Sequence, residues 1–181
     1  MILGLDVSTS ITGATVLDEN GEVLYCEAWD TRNKKHFPTM FHKANFIKSK
    51  LDDIVYDFNI SKNDSVYIEQ TLNRFRPGFS SAATLLTLAR FNGIVSYLCY
   101  TRLLIEPEYI GASTARKALG IKVPRGEDSK KYILNFLLDN EPKFSVEYTK
   151  HGNPKPGSYD RADSLVIARA GNIFELDDSK S

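Results

Sequence analysis

Four acidic residues sit where the surrounding pattern calls for apolar ones. Asp160 and Asp163 lie three apart in the stretch 159–170, which reads as the start of a helix, and residues three apart share one helix face. That face continues through Ile167, Ala170 and Phe174, so the two acids extend an apolar stripe and are expected to point inward. Two buried carboxylates lose hydration and repel each other; a cation held between them relieves both penalties. Asp6 and Glu69 complete the set, each lying at the end of a short apolar run, 1–7 and 65–70. Hard divalent cations such as Mg²⁺ take oxygen ligands and keep several waters for substrate. Two of them about 3.5–4 Å apart can hold the attacking and the leaving oxygen of a phosphoryl transfer. Singly, each acid has a plainer reading: an Asp after a strand caps a turn, and an Asp-x-x-Asp pair near a helix start complements the helix dipole. The conjunction of all four points to a metal site.

For these acids to meet, strands from distant parts of the chain must lie beside a late helix. Residues 1–7, 14–17 and 23–29 read as three antiparallel strands, the second and third joined by the Asn20-Gly21 turn. The first has little polar character before Asp6, which suits a central strand buried on both faces. Residues 37–58 place Phe41, Ala44, Ile47, Leu51, Ile54, Val55 and Phe58 at helical spacing, a surface helix packed on a sheet. A fourth strand, 65–70, carries Glu69. The loop 71–79 follows, and Ser80 or Ser81 caps a helix running to about residue 100. That helix is apolar on most sides, which implies deep burial or a partner subunit. Gly93 in its middle costs about 1 kcal/mol against Ala, which a close helix contact would offset. Residues 103–110 read as a fifth strand, placed toward an edge by Pro107. Two further helices, 112–119 and about 129–139, precede a loop, 141–158, that leads into the carboxylate helix. The expected fold is a single α/β domain, 1–181, with a mixed five-stranded sheet (three antiparallel strands, then parallel ones) and helices on both faces.

The composition, 42% apolar and 25% charged, is that of an ordinary globular protein. Net charge is zero, yet residues 70–131 carry ten Lys/Arg against four Asp/Glu. A basic middle on a neutral chain suggests an anionic partner over one surface; solvated lysines are the plain alternative. Two cysteines, Cys26 and Cys99, form no CxxC and no Cys/His cluster, which argues against a disulfide framework and structural zinc. A reducing cytoplasm is the expected setting. The first residues meet an acid at once and carry no basic leader, and no apolar run approaches the ~20 residues of a membrane span.

Three segments in order resemble the active-site segments of RuvC-type Holliday junction resolvases, within the RNase H-like superfamily. They are Gly4-Leu5-Asp6-Val7-Ser8-Thr9-Ser10-Ile11-Thr12-Gly13, Tyr67-Ile68-Glu69-Gln70 and Asp160-Arg161-Ala162-Asp163-Ser164-Leu165-Val166-Ile167-Ala168. Between them, the stretch 111–120 with Arg116-Lys117 is similar to the family's Arg-Lys segment, and Asp128-Ser129-Lys130-Lys131 to its lysine-bearing helix. The short length and the loop before the last helix look most like the bacteriophage branch, which would place the protein in a host cytoplasm. Val7-Ser8 stands where the bacterial form usually has Pro-Gly.

The resemblance implies an RNase H-like fold and metal-dependent hydrolysis of DNA phosphodiesters, nicking opposed strands of a four-way junction. It implies Asp6, Glu69, Asp160 and Asp163 as ligands of two Mg²⁺ ions, with Mn²⁺ as a substitute, and Lys130 as a further catalytic group that stabilises phosphate charge or positions water. A solvated helix lysine is the equal alternative for Lys130. Arg116, Lys117, Lys122, Arg125 and Lys131 are candidates for phosphate contacts. On the 71–79 loop, Arg74-Phe75-Arg76 places an aromatic between two cations, suited to wedging at unpaired bases, whereas Phe79 reads as core. A two-fold symmetric junction calls for two active sites, hence a homodimer, with the apolar helix 81–100 as its interface. Three competitors remain: a broader fork and flap nuclease, a non-catalytic junction-binding module, and an actin or sugar-kinase-like ATP site suggested by the loop 3–10. The last needs a second domain and an adenosine site that the sequence does not offer.

Overall fold

The computed structural model describes residues 1–70 and 81–179. Its sheet has five strands, β1 (Ile2–Asp6), β2 (Ile11–Leu17), β3 (Val23–Asp30), β4 (Ser65–Glu69) and β5 (Glu108–Ile110), in the order β3-β2-β1-β4-β5. The first three pair antiparallel, and β4 and β5 add in parallel. β1 is therefore central, as its apolar run implied, and Leu3 and Leu5 are fully buried. The parallel pairings need crossovers, supplied by the helices α1 (Met40–Phe58) and α2 (Ala82–Leu103).

Alternation along the strands divides the interior into two cores. Leu3, Leu5, Val66 and Ile68 face one side, where Ile47, Leu51 and Ile54 of α1 and Phe91, Val95 and Cys99 of α2 cover them. Ile2 and Tyr67 face the other, under α3 (Ala112–Ala118), α4 (Ser129–Asn140) and α5 (Ser158–Asp178). Helices thus cover both faces. The caps fall where the sequence placed them: Ser81 accepts from the Thr84 N–H, and the Asp128 carboxylate accepts from the N–H groups of Lys130 and Lys131.

Three expectations are corrected. The stretch 103–110 is not one strand: α2 runs on to Leu103, which packs in the core, and Leu104 closes the helix in the left-handed region at φ 60°. The ladder begins only after Pro107, which has no N–H to donate. Phe41 is 72% exposed; the buried stripe of α1 starts a turn later, at Ala44, and the Phe37 and Phe46 rings, 5.2 Å apart, pair instead. Gly93 makes no close helix contact among the described residues: a Cβ there would meet nothing within 4 Å. Among the described residues, α2 alone is long and apolar enough by composition to cross a membrane, although Phe91, Val95, Cys99 and Leu103 are committed to the core. The connection 141–157 is an ordered arch, with Tyr148 bridged to Pro154 and Phe144 buried.

Candidate active site

Strand register brings the first two acids together. β1 and β4 run parallel with Leu5 beside Ile68, so Asp6 and Glu69 follow at the same end of adjacent strands. Both lie on the α5 side, because they alternate with Leu5 and Ile68, which face the opposite core. The Asn92 side-chain amide, buried on α2, donates to the Glu69 carbonyl at 3.4 Å and ties that strand end to the helix behind it.

The second pair arrives because glycine lets α5 lie against the sheet. Asp6 pairs with Gly13 across β1 and β2. A Cβ on Gly13 would fall 1.9 Å from the Asp160 carbonyl oxygen, and one on Gly4 would fall 2.7 Å from the Ser164 carbonyl oxygen. The main chain of Asp160 therefore rests directly over the Asp6–Gly13 pair. The first turn of α5 is also anchored by polar contacts. The hydroxyls of Thr15 and Ser164 are 2.9 Å apart, and Arg161 donates to the Cys26 and Ser145 carbonyls while lying 5.4 Å from the Phe144 ring centroid. As the stripe required, Ile167 and Ala170 are buried and Asp163 keeps only 20% side-chain exposure.

The four carboxylates act on one another electrostatically. Burial pushes Asp6 well above the usual carboxylate range, and the charges of Glu69, Asp163 and Asp160 push it further. Burial and then Asp163 lift Glu69 to about 7. Burial lifts Asp163 to about 6, with Asp160 adding to it and Lys130 and Arg116 opposing. Asp160 is raised by burial, eased by Lys130 and Arg32, and raised again by the Asp30 carboxylate that Arg32 pairs with. The Lys130 ammonium, 64% exposed, stands 3.9 Å from the Asp163 carboxylate.

This donor set fits hard divalent cations, being four carboxylates whose mutual repulsion a cation would offset. Among the described residues, no three His, Cys, Asp or Glu side chains meet in ready-made ligand geometry. A closed cage is not what Mg²⁺ chemistry requires, since that ion is commonly held by one or two carboxylates plus waters and substrate phosphate.

Of the cationic candidates, Lys130 and Arg116 act directly on the acids. Arg116 is half-buried, its Nε donating to the Ala112 carbonyl at 2.9 Å. Lys117, Lys122, Arg125 and Lys131 are exposed, and none figures among the charges acting on the four acids. Arg74, Phe75, Arg76 and Phe79 lie outside the described residues. Sequence reasoning missed Gly13, Asn92, Arg161 and Arg32. Gly13 carried a signal, a glycine inside an apolar strand, which marks close backbone approach; the others are ordinary polar residues until the fold places them.

No protein-family model matches the chain, and no curated protein matches it. Solved structures do. The chain is similar to Thermus thermophilus RuvC in complex with a Holliday junction substrate, at 15% identity and TM-score 0.63, covering 97% of this chain and 94% of that one. A structure of Thermus thermophilus RuvC gives 14% identity and TM-score 0.64 over 98% and 96% of the two chains. The yeast mitochondrial Holliday junction resolvase Ydc2 gives 15% identity and TM-score 0.61 over 97% and 78%. At these identities the likeness is one of architecture: the fold is the RuvC, RNase H-like fold.

Proposed function

We propose that the protein is a structure-selective endonuclease that resolves four-way DNA junctions by divalent-metal-dependent hydrolysis of phosphodiesters. The observation that carries this reading is the convergence of Asp6, Glu69, Asp160 and Asp163 at one strand end under α5, with Lys130 3.9 Å from Asp163. The four acids would hold two Mg²⁺ ions, with Mn²⁺ as a substitute. Bound there, such ions lower the pKa of water and neutralise charge on the leaving oxygen. The chain's own part is electrostatic placement. Lys130 and Arg116 offset the negative charge that the acids would otherwise turn toward a phosphate. Gly13 fixes the height of Asp160, and Asn92 fixes the end of the Glu69 strand.

Two opposed nicks require two sites, and α2 offers the surface for a homodimer. Leu86, Tyr97, Tyr100 and Leu104 are exposed on or next to it, Gly93 presents bare backbone on the same helix, and a cavity of about 380 Å³ opens between Tyr97, Tyr100 and Tyr109. Buried free Cys26 and Cys99 accord with a reducing cytoplasm. Exposed Lys117, Lys122, Arg125 and Lys131 would hold duplex phosphates, and the loop carrying Arg74, Phe75 and Arg76 follows Glu69 directly in sequence.

The test is a nicking assay on synthetic four-way junctions, forks and flaps with Mg²⁺. Paired symmetric nicks at junctions by the wild type, abolished in Asp6→Asn and Asp163→Asn, are expected. Cleavage by those variants at the wild-type rate would overturn the site.

A further inference from the structure

The acid row has cations at three places, and only two belong to the basic middle of the sequence. Lys130 acts on all four acids, and Arg116 acts on Glu69 and Asp163. At the Asp160 end the cation is Arg32, from the connection between β3 and α1, with its partner Asp30 acting on Asp160 in the opposite sense. That connection is fastened to the site. Thr31, buried to 1% exposure, donates its N–H to the Ser10 carbonyl at 2.8 Å and its hydroxyl to the carbonyls of Thr9 and Ser10. From α1, the Lys43 ammonium donates to the Thr9 carbonyl. Residues 8–10 are the turn directly after Asp6, so the segment holding Arg32 is pinned beside the catalytic strand.

What the pinned segment presents is positive. The Asp30 carboxylate holds the Arg32 guanidinium through Nε at 3.0 Å and Nη2 at 2.6 Å, which leaves Nη1 without a hydrogen bond among the described residues. Asn33 accepts from the Lys35 N–H at 3.0 Å, and its carbonyl accepts from the N–H groups of His36 and Phe37. This turn holds Lys34 and Lys35 outward, both exposed and neither in an ion pair among the described residues. A cavity of about 520 Å³, lined by Asp30, Arg32 and Asn33, opens there.

We propose that Arg32, Lys34 and Lys35 form a second phosphate-binding arm, gripping the DNA backbone at the Asp160 end of the acid row. Arg116 and Lys130 hold it from the Glu69 and Asp163 side, so the scissile phosphate lies between two cationic supports. The arm rests on the nuclease reading above, and its test separates the two. Binding of a four-way junction is titrated by fluorescence anisotropy in EDTA at several salt concentrations. The proteins are the wild type, Arg32→Ala/Lys34→Ala/Lys35→Ala, the charge-keeping Arg32→Lys/Lys34→Arg/Lys35→Arg, and a control, Lys62→Ala/Lys143→Ala. The control residues lie at the opposite end of the sheet, Lys62 before β4 and Lys143 paired with Glu22. The expected result is at least about tenfold weaker binding by the triple alanine variant, with a salt slope shallower by about 1 for each phosphate that is no longer neutralised. The charge-keeping variant restores the affinity, and the control matches the wild type. A triple alanine variant that binds with wild-type affinity and salt slope, or one no weaker than the control, overturns the arm while leaving the nuclease reading intact. A wild type that neither binds nor nicks junctions overturns the nuclease reading itself.

Discussion

Glu69→Gln is expected to stabilise the metal-free protein at alkaline pH while abolishing its nuclease activity. Glu69 lies at the end of β4 with burial and the Asp163 charge raising it from 4.5 to about 7. A raised carboxyl binds its proton more tightly in the folded state than in the unfolded chain. Its ionisation therefore opposes folding, and the folded state is favoured as pH falls. At about 1.4 kcal/mol per pKa unit, ionised Glu69 destabilises the protein by on the order of 3 kcal/mol at pH 8. Near pH 5 the folded group is protonated and the penalty shrinks below about 1 kcal/mol; below pH 4 it vanishes. The amide is nearly isosteric and cannot ionise. For a domain of this size, where 1 kcal/mol moves Tm by about 2–4 °C, Glu69→Gln should raise Tm by roughly 6–12 °C at pH 8. The assay is thermal denaturation in EDTA at pH 8 and pH 5, repeated with Mg²⁺. The wild type should gain more from Mg²⁺ than the variant, because the variant would lack one of the four proposed ligands. An unchanged or lower Tm at pH 8, or an equal gain at both pH values, refutes the reasoning.

Other outcomes follow from the same geometry. Gly13→Ala, whose Cβ would fall 1.9 Å from the Asp160 carbonyl oxygen, should destabilise by about 1–3 kcal/mol and lower nicking more than tenfold, read by urea denaturation and junction cleavage. Lys130→Ala removes the cation that lowers the pKa of all four acids, so the acidic limb of the pH–rate profile should move to higher pH, and Lys130→Arg should restore part of it. Tyr97→Glu with Tyr100→Glu places charges on the exposed face of α2; sedimentation should show monomers, and paired nicks should become single ones. Arg169 pairs bidentately with Glu141 at 2.7 and 2.6 Å, and both side chains are largely buried. Arg169→Ala should therefore cost about 3 kcal/mol by leaving Glu141 unpaired, with nicking intact in the protein that remains folded.

Periodicity carried most of the architecture because local sequence encodes it. The apolar run of β1 and the stripes of α1 and α5 are set by which residues face a core. Their order, three strands, a helix and then strand–helix units, admits few sheet topologies. The misplacements arise where tertiary contacts decide. Leu103, Leu104 and Ile105 are equally good helix or strand residues, and the deciding contact, Leu103 against the core behind the sheet, is tertiary. The site divides in the same way. Asp6, Glu69, Asp160 and Asp163 stood out as candidates because a charged residue on an apolar face breaks a pattern. Arg32, Arg161 and Asn92 break none. Arg32 matters through the Thr31 contacts to the 8–10 turn, a relation between residues more than twenty apart that no periodicity records.

A chain with no net charge can still serve an anionic polymer, because the charges are separated in space. Four carboxylates at one strand end repel the phosphates they would act on. Cations fixed at the rim, Lys130 3.9 Å from Asp163 and Arg32 acting on Asp160 against the charge of its partner Asp30, reduce that repulsion without entering the acid row. They cannot cancel it. Burial first and then the Asp163 charge still raise Glu69 to about 7, and burial with the Asp160 charge raises Asp163 to about 6, so the acids still repel one another in the presence of every rim cation. Anything that lowers their negative potential favours phosphate binding, and anything that brings a phosphate favours a divalent cation beside it. The two affinities are linked, and the linkage is reciprocal. Junction affinity measured with a divalent cation that does not support cleavage should exceed that in EDTA. At pH 8, where Glu69 is ionised, Glu69→Gln has one negative charge fewer and should bind junctions more tightly than the wild type in EDTA and gain less from the cation. Equal affinity of wild type and Glu69→Gln in EDTA at pH 8 would show that the acid row does not face the bound phosphates.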